Sequence, residues 1–127
     1  MNQNKKILIV EDDANMREVL VNRFTAEHFI VVSASDGPSG LVVALREEPD
    51  IILLDIMMPG LDGMTVMKKI RQSNAWGKQV PIILLTSLSA NDSIMRGIVE
   101  DEPAYYIIKD NFSLDDVVAK VKERLEI

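Results

Sequence analysis

Residues 51–63 read IILLDIMMPGLDG, four apolar residues running straight into an acid before a Pro-Gly turn. The run is too short to span a membrane and too apolar for a half-exposed strand. It suits an interior strand of a parallel sheet covered on both faces. Four similar runs recur: Lys6 to Val10, Ile30 to Ala34, Pro81 to Leu85 and Ala104 to Ile108. Stretches of helical spacing follow them. Met16, Val19, Leu20 and Phe24 fall on one stripe, as do Leu41, Ala44 and Leu45, and then Val66, Met67 and Ile70. Asn74 to Gln79 is expected as a loop and Asn91 to Val99 as a weaker helix, interrupted by Gly97. Ser113, with Asp116 three residues on, opens a last helix whose apolar stripe is Leu114, Val117, Val118, Val121 and Leu125. Asp36-Gly37-Pro38 and Asp62 are helix-start signals, and Pro49 is a stop.

Five βα units in a row predict an α/β fold, a doubly wound parallel sheet with helices on both faces. Right-handed crossovers leave few topologies, among them the flavodoxin-like strand order 2-1-3-4-5. In such sheets ligands bind outside the carboxyl ends of the strands, where the winding reverses. The length, 127 residues, favours one domain, 1–127, able to bury roughly two thirds of its unfolded surface. Cysteine is absent, which excludes disulfides and thiolate chemistry. The opening MNQNKKILIVEDD has too short an apolar run for a signal peptide, so a cytoplasmic location with no membrane association is expected. A net charge of -6 argues against direct nucleic-acid binding.

The residues that close the strands carry the chemistry. The first strand ends in Glu11, Asp12 and Asp13, the third in Asp55, the fourth in Thr86 and the fifth in Lys109. Two carboxylates about 4 Å apart repel by roughly 4 kcal/mol at an effective dielectric of 20. Ionised Asp12 and Asp55 side by side therefore need a cation. Oxygen donors suit Mg²⁺, commonly held by one or two carboxylates plus a phosphate. A carboxylate, a divalent metal, a hydroxyl and an ammonium together suit a phosphoryl group, with the carboxylate as nucleophile.

In order and spacing, ILIVEDD, ILLDIMMPGLDG, PIILLTS and YIIKD resemble the receiver domain of two-component response regulators, the CheY-like family. The resemblance covers essentially the whole chain. It implies that Asp55 is the phosphoacceptor, charged by a sensor histidine kinase or phosphotransfer protein. It implies Mg²⁺ on Asp12, Asp55 and the backbone carbonyl of Met57, with Glu11 acting through water. Thr86 and Lys109 would contact phosphoryl oxygens, and Tyr106 takes the family's aromatic switch position. Met57 and Leu88 fall where the family tunes phosphoryl loss. Both are apolar, which implies a persistent phosphorylated state. Contacts with a downstream protein, including dimerisation, are expected through the face formed by the helix at Asn91 to Val99, the fifth strand and the last helix. The chain is expected to act alone or as part of a longer protein, catalysing only its own phosphorylation and dephosphorylation.

The sequence departs from the family pattern at Asp110, where proline usually follows the lysine, and at the acidic approach Glu100 to Pro103. Two other functions compete. One is an interaction module that works without phosphorylation, left open by Asp110. The other is a Mg²⁺-dependent aspartyl-phosphate phosphatase, disfavoured because Met57 stands where such enzymes carry a second acid. Asp13 and Asp62 are expected as helix caps. His28 is expected as an exposed histidine at a helix C-terminus. Met16, Met64 and Met67 are expected as core filler, and Met58 beside the site.

Overall fold

The computed structural model describes residues 5–56, 58, 60–86, 105–108 and 113–127, with Thr86 and 105–108 described through their backbone alone. Met57, Leu88, Lys109, Asp110, the approach at 100–103 and the helix expected at Asn91 to Val99 lie outside these residues. Strands β1 (Lys6–Val10), β2 (Ile30–Ala34), β3 (Ile51–Asp55), β4 (Ile82–Thr86) and β5 (Tyr105–Ile108) form one sheet in the order β2-β1-β3-β4-β5. Every ladder is parallel. This is the doubly wound order expected from the alternation, with β1 and β3 adjacent where the winding reverses.

Side chains alternate across the sheet, so each strand feeds two cores. Leu8, Val10, Ile52, Leu54, Ile82 and Leu84 pack on one face, against helices α2 (Gly37–Glu47) and α3 (Gly63–Arg71), through Ala44, Val66, Met67 and Ile70. Ile7, Ile9, Ile51, Leu53, Ile83 and Leu85 pack on the other. There they meet α1 (Ala14–Ala26) and α5 (Leu114–Leu125), through Leu20, Phe24, Val117, Val118 and Val121. Burial on both faces is why these runs are continuously apolar rather than alternating. β2, at the sheet's edge, is less enclosed and leaves Ile30 and Ser33 exposed.

The helices start where their caps lie. Asp13 accepts hydrogen bonds from the amides of Asn15 and Met16, Asp36 from Ser39 and Asp62 from Thr65. At α5 the Ser113 hydroxyl accepts from the Asp116 amide, and the Asp116 carboxylate accepts from the Ser113 amide. α1 ends in a left-handed turn at exposed His28 (φ 72°). There the amide of His28 donates to Thr25 O and that of Phe29 to Phe24 O, and the Phe24 and Phe29 rings meet edge to face. This is a Schellman closure with its usual apolar contact.

Three expectations are corrected. Val19 and Leu45 are exposed, because the stripes of α1 and α2 centre on Leu20–Phe24 and Gly40–Ala44. α2 lies so close to β1 that a Cβ on Gly40 would stand 2.7 Å from Val10 Cγ1. The loop expected at Asn74 to Gln79 contains a short helix, α4 (Ala75–Gln79). Asn74 caps it by accepting from the Gly77 amide, the Arg71 guanidinium donates to the carbonyls of Gly77 and Val80, and the Trp76 indole donates to Pro49 O. Met58, in the loop after Asp55, is buried in the α2–α3 core.

Candidate functional site

Parallel register assembles the site. Val10 pairs with Leu54, so the next residues, Glu11 and Asp55, emerge side by side from the centre of the sheet. Backbone bonds hold both strand ends past that point: the Glu11 amide donates to Ala34 O at 3.1 Å, and the Ile56 amide to Leu85 O at 2.8 Å. Glu11 and Asp55 are 0% and 2% exposed, the only buried charged residues among those described, and Asp12 beside them is exposed. Glu11, Asp12 and Asp55 each offer a carboxylate oxygen, and these three oxygens lie within 4.8 Å of one another.

Such a cluster is electrostatically costly without a counter-charge. Its donors are all hard oxygens, two from buried side chains and one at the open rim. That set fits a small divalent cation such as Mg²⁺ that keeps part of its water. The sequence expectation for Glu11, Asp12 and Asp55 therefore meets a matching arrangement. Asp13 is not the fourth member: its carboxylate is taken up in capping α1.

The other expected residues are placed in part. Thr86 ends β4, in register with Ile108 of β5, and Asp55 stands opposite Leu85, the residue before it. Tyr106 is in β5 opposite Leu84. The side chains of Thr86 and Tyr106, and all of Met57, Leu88 and Lys109, lie outside what is described.

Two residues near the site escaped the sequence reading. Gly63 opens α3 and donates its amide to Ile56 O at 2.9 Å. A Cβ there would stand 2.1 Å from Asp55 O and 2.8 Å from Ile56 Cα, so only glycine lets α3 start against the Asp55 backbone. Its signal was a poor helix former at a helix's first position, a mark of close backbone approach. Arg17 donates from Nη1 to the backbone carbonyl of Glu11 at 2.8 Å. Nothing in the local pattern separates it from a surface arginine.

Comparison with known proteins agrees with this architecture. Residues 7–122 match the family model for the response regulator receiver domain. The chain is 38% identical over 120 residues to response regulator PleD of Caulobacter vibrioides, covering 94% of this chain and 25% of that protein. It is 37% identical over 123 residues to the probable transcriptional regulator ycf27 of Porphyridium aerugineum, covering 97% of this chain and 49% of that protein. The chain thus spans a quarter to a half of the length of these relatives. Among solved structures, the BeF3-activated N-terminal receiver domain of Klebsiella pneumoniae RstA superposes with a TM-score of 0.84 at 32% identity, covering 97% of this chain and 100% of that one. A CheY-like receiver domain protein of Methanospirillum hungatei gives 0.89 at 24% identity, covering 98% and 95%, a likeness of fold.

Proposed function

The chain belongs to the response regulator receiver domain family of two-component systems, and on that footing we propose that it is a phosphorylation-gated switch with Asp55 as phosphoacceptor. The observation that carries this reading is the convergence of Glu11, Asp12 and Asp55 within 4.8 Å at the carboxyl edge of the sheet. A Mg²⁺ ion there would neutralise the carboxylates and draw in a phosphoryl oxygen. Asp12 and Asp55 would hold it directly with the Met57 carbonyl, and Glu11 through water.

Asp55 fits the role of nucleophile because the sheet fixes it. It is the last residue of the central strand, buried, with its backbone clamped against Gly63. One of its carboxylate oxygens would attack the phosphorus of a phosphohistidine on a sensor kinase or phosphotransfer protein. The P–N bond would break, the departing imidazole would take a proton from solvent, and an acyl phosphate would form on Asp55. Thr86 and Lys109 would contact the transferred oxygens, and Tyr106 would report the change to the surface. The outputs are contacts with a downstream protein, or a second copy, through β5, α5 and the segment at 91–99. The domain is a single unit acting in the cytoplasm on no metabolite, with no direct contact to nucleic acid.

The test is intact-mass measurement after incubation with acetyl phosphate and Mg²⁺. The wild type is expected to gain the mass of one phosphoryl group and Asp55→Asn none. An equal gain in both would overturn the assignment. Met57 and Leu88 are proposed to obstruct a hydrolytic water. Phosphoryl decay after donor removal is then slower in the wild type than in Met57→Asn or Leu88→Glu, and a faster wild-type decay would reject that role.

A further inference from the structure

We infer that Arg17 is a positioning residue for the cation site, setting the geometry of Glu11 and Asp12 through the peptide that joins them. The inference rests on the Mg²⁺ reading of the three carboxylates given above.

Arg17 stands early in α1, whose first turn carries no acid. A cation there is disfavoured by the helix dipole, whose N-terminal end is positive. The side chain is half-buried and its Nη1 donates to the carbonyl of Glu11 at 2.8 Å. That carbonyl belongs to the peptide between Glu11 and Asp12, two of the three converging acids. Two other polar groups of Glu11 are held from other directions: its amide by Ala34 O, and its Oε1 by the Asp13 amide at 3.1 Å. Asp12 has no such support: among the described residues no hydrogen bond or ion pair holds its side chain. The direction in which Asp12 leaves the backbone is therefore set by its two flanking peptides, the first pinned by Arg17 and the second by the Glu11 carboxylate. A planar guanidinium on a part-buried carbonyl is a rigid support for this purpose. Groups behind a metal ligand that fix its orientation are a recognised source of affinity.

The charge of Arg17 and its hydrogen bond act on Mg²⁺ in opposite directions, which makes the inference testable. A positive charge near the site repels the cation, so if charge dominated, removing it would tighten binding. If positioning dominates, removing it loosens binding. Mg²⁺ affinity is to be measured by calorimetric titration on folded wild type, Arg17→Met and Arg17→Lys, with the melting temperature of each followed in chelator. Arg17→Met is expected to weaken Mg²⁺ binding roughly threefold to tenfold, at the low end for a support acting through the backbone. Arg17→Lys, which keeps one donor, should recover part of the loss. Unchanged or tighter binding by Arg17→Met overturns the inference, as does a loss that Lys does not rescue at all. A wild type that binds Mg²⁺ no better than Asp12→Asn would instead sink the reading of the site, a result separable from failure at Arg17.

Discussion

Asp12, at the open rim of the triad, is the member whose removal separates repulsion from ligation most cleanly. Asp12→Asn takes one negative charge from beside two buried carboxylates and removes a proposed ligand at the same time. Metal-free Asp12→Asn is therefore expected to melt at or above the wild-type temperature. Mg²⁺, which should raise the wild-type melting temperature by binding the folded state, should no longer do so in the variant. Gly63 makes a different demand. It leaves no room for a Cβ against Asp55 O, so Gly63→Ala must push α3 or β3 aside, at a cost of about 1–3 kcal/mol in urea unfolding with an unchanged m-value. Asp55 would move with it, so phosphoryl uptake should fall in the same variant. His28 stores a smaller strain, a non-glycine residue at φ 72°. His28→Gly is expected to stabilise the protein by about 1 kcal/mol, since the left-handed turn is kept without a Cβ.

At the scale of elements, α1 and α5 are joined by an ionic network. Arg23 Nη2 reaches Asp115 Oδ1 at 2.6 Å, its Nε reaches Glu27 Oε2 at 3.1 Å, and Lys122 Nζ reaches Glu27 Oε1 at 2.8 Å. The Lys122 ammonium, then the Arg23 guanidinium, hold the Glu27 carboxyl below its ordinary pKa. A group whose pKa is depressed on folding stabilises the fold above its unfolded value and loses that contribution as pH falls through the depressed one. Between neutral pH and about pH 3.5 the wild type should thus lose more stability than Glu27→Gln, read as urea midpoints. An equal loss would remove Glu27 from the acid response. The capping box of α5 is worth more than any one exposed ion pair: Ser113→Ala should cost about 1 kcal/mol.

Across the whole molecule, the sheet was legible because interior parallel strands must be apolar on both faces, and β1, β3 and β4 are short runs that nothing else accommodates. The acids were legible because Glu11, Asp12 and Asp55 follow directly on such runs, and register turns that position into proximity. Whatever depended on three-dimensional approach was not. Val19 and Leu45 fit a periodic stripe as well as their neighbours do, and only the direction in which α1 and α2 settle on the sheet leaves them exposed. α4 is too short for periodicity to register and is held by Arg71, Asn74 and Trp76, whose partners are carbonyls and an amide. Arg17 and Gly63 act on backbone atoms of the site; Arg17 leaves no pattern to find, and Gly63 only that of a glycine at a helix start.

The central claim is that the strand-end carboxylates gather one divalent cation that makes Asp55 ready for a phosphoryl group. It is tested most directly by following backbone amide resonances of ¹⁵N-labelled protein during titration with Mg²⁺. Saturable shifts centred on Glu11, Asp12, Asp55 and Ile56, abolished in Asp12→Asn, are the predicted result. Shifts that fail to saturate, or that persist unchanged in Asp12→Asn, would contradict it.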